Sequence, residues 1–436
     1  TMRATLDTAR LSGNPSRNSI ASDTAYRRKR ILLFLTISIG YLIVFFHRVA
    51  PAIMGPVIAK ELGLFATDLG IMSSMYFWAQ ALGCIPAGLL CDILGPRKII
   101  AAGLICAAAG TAVFVMAGGV PTLALGRFII GLSVSVVFIG AMKIFSDWFF
   151  PNELATCSGV LLAVGNIGAL LSTSPLIWLI NQTGWRNAFW IIAVYTLFAG
   201  LLGWTVLRNK PEECGFLPVS SGSQETASMR TALKAVFSTK NFYLIALAST
   251  LYYGTLMTVG GLWAGPYLQD VYGLSKGMAS SIVMCFTVGM ILGCPISGWL
   301  SDKIIRSRKK VLLLGIAMHT LMYIPLAFFT ATFSSPALLC IIFGLFGMTG
   351  GFFVVCFACT KETTKSSYAA TAVGGTNMGI ALGAAFFQYV CGLIIDSYGK
   401  TGGVYEAEAY ASAFRLCMCM MALSAVFMLF FKEKAH

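Results

Sequence analysis

The sequence is short of charge. Only 11% of its 436 residues are Asp, Glu, Lys or Arg, against about 25% in soluble domains. So few charged side chains cannot wet a globule of this length. A soluble enzyme, a disordered chain and a fibrous repeat are therefore excluded. Acidic residues are scarcest, 17 against 31 Lys and Arg, and there are three histidines. The 13 cysteines form no disulfide framework. They are scattered through apolar segments, where cysteine acts as a small hydrophobe. Cys356 and Cys359 make the one CxxC, with no second pair or histidine cluster nearby, so no metal is expected. No nucleotide loop or catalytic triad is visible, so neither an enzyme nor a cofactor is expected, and no nucleic-acid partner. Nor is a cleavable signal peptide expected. The first thirty residues are polar, end in Arg27-Arg28-Lys29-Arg30, and run straight into an apolar segment.

What is present is hydrophobicity, 57% of residues, with a mean hydropathy of +0.80. The apolar runs are too long for a lipid-spanning barrel and point to helices. Twelve runs can be counted: span 1 at 31–57, span 2 at 66–92, span 3 at 98–118, span 4 at 121–149, span 5 at 153–181, span 6 at 186–208, span 7 at 241–271, span 8 at 275–302, span 9 at 309–333, span 10 at 336–361, span 11 at 368–397 and span 12 at 405–431. The polar interval 209–240, with Pro211, Glu212, Glu213 and Ser220-Ser221-Gly222-Ser223, divides them six and six. It reads as a linker, with room for a short surface helix before Lys240. The expected organisation is a basic tail (1–30), a six-helix bundle (31–208), this linker, a second bundle (241–431) and a short tail (432–436).

The halves repeat. At an offset of 210, ten positions coincide: Gly55/Gly265, Pro56/Pro266, Gly63/Gly273, Leu64/Leu274, Leu82/Leu292, Gly83/Gly293, Cys84/Cys294, Gly88/Gly298, Leu90/Leu300 and Asp92/Asp302. Gly131/Gly344 and Asn166-x-Gly168/Asn377-x-Gly379 follow at slightly larger offsets. Such parallel repeats place a site between the halves in some secondary transporters. The side carrying both termini holds 23 of the 31 basic residues, and the opposite side holds Lys60, Arg186, Lys276 and Lys400. The positive-inside rule then puts both termini in the cytoplasm. Arg48, Arg127, Lys143 and Arg415 fall within spans.

At the end of span 2 lies Gly88-Leu-Leu-Cys-Asp92-Ile-Leu-Gly95-Pro-Arg97-Lys98, repeated at span 8 as Gly298-Trp-Leu-Ser-Asp302-Lys-Ile-Ile-Arg306-Ser-Arg308-Lys309. A glycine permits close helix contact. An aspartate at the membrane edge can engage a helix N-terminus or loop cations, latching one conformation. This motif resembles the signature loop of the major facilitator superfamily, and the six-plus-six layout fits it. The resemblance covers nearly the whole chain from about residue 30. It implies an all-α polytopic membrane protein, twelve helices in two pseudo-symmetric bundles, working by rocker-switch alternating access as a monomer in the inner membrane. Gly88, Asp92, Gly95, Arg97, Lys98, Gly298, Asp302, Arg306 and Arg308 are then gating residues, although the second copy lacks the glycine matching Gly95. Arg127 and Gly131 resemble the family's Arg-x-x-x-Gly motif, which implies proton coupling or structural contacts for Arg127. The alternative is an arginine snorkelling from the end of span 4. Gly184-Trp185-Arg186 is similar to the family's interfacial anchor. Span 5 carries Gly159, Gly165, Gly168 and Pro175 but not the glycine–proline pattern of proton-linked drug exporters, which argues against multidrug efflux.

A cation at bilayer depth costs about 2.5–3.5 kcal/mol on insertion scales, so it is usually there for a reason. His47-Arg48 lies within span 1, and its counterparts 210 residues on are Met257 and Thr258. Lys143 aligns with Cys356. Cations that break a good repeat are better explained by a ligand than by the scaffold. Asp147, one turn after Lys143, offers the alternative of an i,i+4 pair. Asp92, Asp147, Glu153, Asp270, Asp302, Glu362 and Asp396 all read as span ends or loops, so no carboxylate neutralises Arg48 in mid-membrane. An unpaired guanidinium is an anion site. Arginine in span 1 with a basic residue late in span 4 also resembles the organic-anion branches of the superfamily. That resemblance implies a small anionic substrate with a co-transported proton or a counter-anion. The acidic span 4 residue of some proton-linked members appears here as Ser133 or a neighbour. His47 either carries the proton or packs as a neutral side chain. His319, on span 9, reads as peripheral. Tyr252, Tyr253, Trp78, Gln80, Asn166 and Asn377 are further substrate-binding candidates, against roles in packing or in tying helices together. A larger polycarboxylate chelator or an amino acid as substrate, and a transporter-like receptor, remain open.

Overall fold

The computed structural model describes residues 24–150, 153–217, 229–333, 335–364 and 368–433. The tail before residue 24, most of the serine-rich linker at 218–228, and residues 434–436 lie outside them. The described chain is helical apart from a two-residue antiparallel ribbon, Lys400–Thr401 against Val404–Tyr405. Among the described residues ten helices are long and apolar enough to cross a membrane, and two bent pairs, each taken as one span, bring the number to twelve. Span 1 is Thr24–Leu62, span 3 Pro96–Val115, span 4 Val120–Trp148, span 6 Trp185–Val206, span 9 Arg308–Phe328, span 11 Ala369–Ser397 and span 12 Ala407–Phe430. The bent pairs are span 2 (Ala66–Cys84 with Pro86–Leu94, 52°) and span 5 (Thr156–Leu171 with Ser174–Thr183, 41°). Pro86 and Pro175 account for the bends, since each removes a backbone donor and crowds the preceding turn. A short helix, Met229–Phe237, precedes span 7, where the sequence leaves room for one.

The first helix starts seven residues earlier than the apolar run does. Its basic first turns are not a loose tail but are tied to the N-terminal bundle. Arg30 pairs with Glu153 and stacks over Phe149 at 4.3 Å. The Lys29 ammonium donates to the Val206 carbonyl at 3.1 Å, and the Tyr26 hydroxyl donates to Trp148 at 2.7 Å. The last described residues of the chain are docked in the same way. Glu433 accepts from the Ser307 hydroxyl at 2.6 Å and from the Arg308 backbone at 2.5 Å. It thereby places a carboxylate on the N-terminus of span 9.

Within each half, spans pack by small residues. Gly168 of span 5 sits against the backbone of Leu42, Gly131 of span 4 against Tyr76, and Gly289 of span 8 against Gly344. Lipid supplies no hydrophobic drive between helices, so such close backbone approach carries the association.

The repeat offset changes in the second signature motif, and the reason is visible. Span 8 runs Lys276–Trp299 and then makes a π-turn, Leu300–Ile304. A π-turn absorbs one extra residue, so Asp92/Asp302 match at 210 while the turn residue Gly95 corresponds to Arg306 at 211. Both have positive φ, 84° and 51°. The motif turn is thus kept without its glycine, at a strain cost of about 1–2 kcal/mol for a non-glycine residue.

The halves meet chiefly at the end away from the termini, called distal below. There Gly265 of span 7 lies against the Ala52 carbonyl of span 1, and Gly392 of span 11 against the backbone of Ala66 and Thr67. Gly70 of span 2 faces the backbone of Gln388 and Tyr389. At the terminal end Gly88 and Gly298 have open space where a side chain would project. The close helix contact expected of these two glycines is therefore absent in this conformation. A Gly265→Val substitution should keep the distal end from closing. Distances between spin labels on distal ends of the two halves should lengthen and any flux should fall more than tenfold; an unchanged distance distribution would refute this account.

Candidate functional site

Two side chains from opposite halves meet at the interface. Arg48 of span 1 donates from Nη1 to the Tyr253 hydroxyl of span 7 at 3.0 Å. Its guanidinium lies over Phe45 at 4.6 Å and near the Tyr253 ring at 6.0 Å. The Tyr253 ring packs on Phe353 of span 10, 4.7 Å between centroids. Tyr41, Tyr76 and Tyr253 are its electrostatic neighbours. Among the described residues no carboxylate pairs with Arg48, and its buried Nε has no partner. Sequence reasoning missed Tyr41 and Tyr76, which sit in apolar runs and read as core.

Span 7 is shaped for this position. Its helix Lys240–Thr258 widens into a π-turn, Val259–Trp263, and continues as Ala264–Tyr272. Gly261 in that turn approaches the Arg48 carbonyl, and Gln388 of span 11 closes the same corner. Gln388 is fully buried, donates to the Met257 carbonyl at 3.0 Å, and leaves its side-chain oxygen without a partner. It is a further candidate that the sequence did not single out, since a lone glutamine in an apolar helix gives no pattern.

His47 does not share the site. Consecutive residues are about 100° apart around a helix. Its ring faces the interior of the N-terminal bundle, beside Phe189 and 3.5 Å from the Thr111 hydroxyl. Arg127 does not snorkel. It is buried, donates to the His47 carbonyl at 2.8 Å and lies over the Tyr76 ring at 4.7 Å. With Gly131 against the Tyr76 backbone, the Arg-x-x-x-Gly pair clasps Tyr76, whose hydroxyl donates to Val44 at 2.9 Å. The motif thus braces spans 1, 2 and 4 behind Arg48.

The remaining candidates separate. Lys143 pairs with Asp92 of span 2, neither facing Arg48 nor joining Asp147. The signature aspartate is therefore latched to span 4 rather than to loop cations. Arg97 caps the end of span 6 through the Trp204 carbonyl at 2.8 and 3.0 Å, and its backbone donates to Asn209 at 3.0 Å. In the second motif Arg308 pairs with Glu362 of span 10, while Asp302 and Arg306 are exposed. Lys98 makes no ion pair among the described residues. Tyr252 is buried in the C-terminal bundle, donating to the Thr349 carbonyl at 2.6 Å, and is not beside Arg48. His319, far from peripheral, is fully buried in that bundle, 3.0 Å from the Thr349 hydroxyl. Trp78 is exposed, Gln80 buried and Asn166 half-buried. Asn377 donates across the halves to Cys84 at 3.7 Å and not to Asn166. Arg186 pairs with Glu61, and Arg415 with Glu408.

The sequence profile of the Major Facilitator Superfamily matches residues 37–303 and 245–436. A probable hexose phosphate transport protein of Chlamydia pneumoniae is 24% identical, over 89% of this chain and 90% of its own. A probable L-galactonate transporter of Escherichia coli (strain K12) is 26% identical, over 92% and 88%. Among solved structures, a bacterial homologue of the human lysosomal transporter Spinster, inward-facing and unoccupied, superposes with a TM-score of 0.70 at 16% identity, covering 92% of this chain and 96% of that one.

The Asp92–Lys143 latch can be measured. Both side chains are about a third or more exposed, so a double-mutant cycle on thermal stability should give a coupling of about 0.2–1 kcal/mol. Strict additivity of Asp92→Ala and Lys143→Ala would remove the latch.

Proposed function

This chain belongs to the Major Facilitator Superfamily; it is a secondary transporter of small solutes and not an enzyme, and we propose that its solute is a small organic anion, a carboxylate or a phosphorylated metabolite. The observation that carries this reading is the Arg48 guanidinium, shared between the halves with a tyrosine hydroxyl and no carboxylate. A half-buried cation at the seam of the halves, without a counter-charge, suits an anion as its partner, and the fork geometry of guanidinium suits carboxylate and phosphate. The relatives named for hexose phosphate and L-galactonate carry the same chemistry in their substrates. Tyr253 holds the guanidinium until the anion arrives. Binding exchanges a hydroxyl for a full charge and lets the two halves close around it.

We place both termini in the cytoplasm of the inner membrane on the lysine and arginine bias. The close backbone contacts at the distal end and the open space at Gly88 and Gly298 then support an inward-facing state. Uptake driven by a co-transported proton is the first mode, with His47 as carrier. The position of His47, inside the bundle and away from Arg48, favours a second mode, exchange for an internal anion.

A thermal-shift screen of the purified protein against organic acids, phosphates, chelators and amino acids, followed by flux in proteoliposomes, tests the class. Stabilisation by carboxylates or phosphates with flux is expected. Binding without flux would turn the reading toward a receptor, and stabilisation by amino acids alone would overturn it. Arg48→Ala should reduce anion flux to background while the protein stays folded, and normal uptake would remove the site. In the proton-coupled mode His47→Gln should abolish the dependence on a pH gradient, whereas intact proton-driven accumulation would exclude His47.

A further inference from the structure

Above the sealed distal end lies a cleft between the halves, separate from Arg48, with a volume of about 470 Å³. That is within the about 300–1,000 Å³ range of small-ligand pockets. Its lining includes Lys60 from span 1, Lys276 from span 8 and Lys400 from the ribbon before span 12, with Asp270, Tyr405 and Tyr410. Cations on the non-cytoplasmic side are disfavoured. The sequence leaves four there, and three of them converge on this cleft from positions remote in the chain. The fourth, Arg186, is already paired with Glu61.

Two of the three lysines are not spoken for by carboxylates, and the third, Lys400, lies within electrostatic reach of Asp270. Among the described residues Lys60 and Lys276 make no ion pair, and both are exposed. Lys400 donates to the Leu64 carbonyl at 3.0 Å and lies over Phe65 and Tyr405 at 5.1 Å each. The one acidic residue of the lining, Asp270, is engaged by the Tyr410 hydroxyl at 2.7 Å and the Tyr405 backbone at 3.5 Å. Asp270 is also the repeat counterpart of Lys60 at the 210 offset, so the lining breaks the pseudo-symmetry in charge as the Arg48 site does.

We propose that this cleft is a second anion site, a vestibule that gathers soluble carboxylate or phosphate anions above the closed end before they pass to Arg48. The proposal rests on the anion reading above, but its geometry is independent of Arg48. Three like charges around a half-enclosed low-dielectric space focus the potential and raise the local anion concentration. Lys400 links the cleft to closure, because its ammonium also ties the ribbon to the turn between spans 1 and 2.

The test uses full-length protein with lysines reductively methylated with ¹³C, which preserves their charge. Lys60 and Lys276 signals are assigned by their loss in Lys60→Gln and Lys276→Gln. Sodium phosphate and sodium succinate are titrated against sodium chloride at matched ionic strength, in wild type and in Arg48→Ala. Both signals should shift saturably in both proteins. At low salt the double variant Lys60→Gln/Lys276→Gln should raise the half-saturation of flux several-fold, and high salt should erase the difference. Signals that do not move beyond the chloride control overturn the vestibule. So do shifts lost in Arg48→Ala, which would be relayed from the central site, and shifts seen only in nanodiscs of anionic lipid. Saturable shifts without anion flux would instead retain the vestibule and overturn the proposed cargo.

Discussion

A guanidinium at the seam of two membrane bundles, with a hydroxyl and aromatic faces around it but no carboxylate, is the constraint around which this structure is organised. Holding a cation there costs several kcal/mol unless it is compensated. Phe45 contributes a cation–π face and Tyr253 a dipole from the other half. Neither of these neutralises the charge. A permanent salt bridge in the same place would lower the cost of burial but would leave an arriving anion to compete with a fixed carboxylate. The incomplete compensation is therefore compatible with a site that must both capture and release.

The same interface must open at one end when it closes at the other, and the two ends use different materials. At the distal end closure is made by backbone, with Gly265 against Ala52 and Gly392 against Ala66. Asp396, at the end of span 11, accepts from the backbone of Ala66 and Thr67 at 2.9 and 2.7 Å. A carboxylate on a helix N-terminus is a favourable but modest contact, about 0.3–1 kcal/mol where exposed, which suits a joint that must break in each cycle. At the terminal end the ion pairs stay within a half: Asp92 with Lys143, Arg308 with Glu362, Arg30 with Glu153. These hold each bundle rigid, while Gly88 and Gly298 keep room for the approach of the other half.

Fold class was legible because hydrophobic length and repeat both act over many residues. Twelve apolar runs, the 210 offset and the basic bias each tolerate local error, and together they gave the two bundles. Boundaries were less legible. Span 1 reaches back to Thr24 because Arg30 and Lys29 find partners on spans that the sequence does not show to be adjacent. The Lys400–Tyr405 ribbon had a usable signal in Gly402-Gly403, a two-residue turn between short β-capable stretches. Side-chain destinations were least legible. Lys143 had a plausible partner one turn away in Asp147, yet it chose Asp92, 51 residues earlier on another span. His47 and Arg48 are neighbours in sequence and face different compartments of the fold, since helical rotation separates what the chain places together. Aromatic residues such as Tyr41 and Tyr76 were hidden because a tyrosine in an apolar run looks like packing until its hydroxyl is placed.

Repeat symmetry explains which half supplies which part. The counterpart of Arg48 is Thr258, whose hydroxyl donates to the Gly254 carbonyl of its own helix at 2.7 Å. That local bond satisfies the side chain and asks nothing of a ligand. The C-terminal half contributes instead a hydroxyl from Tyr253 and a widened π-turn one residue after Thr258, where the first half keeps a regular helix and a charge. If both halves carried an arginine here, the two cations would repel whenever the interface closed empty. One charge opposite one hydroxyl avoids that penalty in the unloaded state. The departure from symmetry at this position thus leaves one charge opposite one hydroxyl at the seam, rather than two cations face to face.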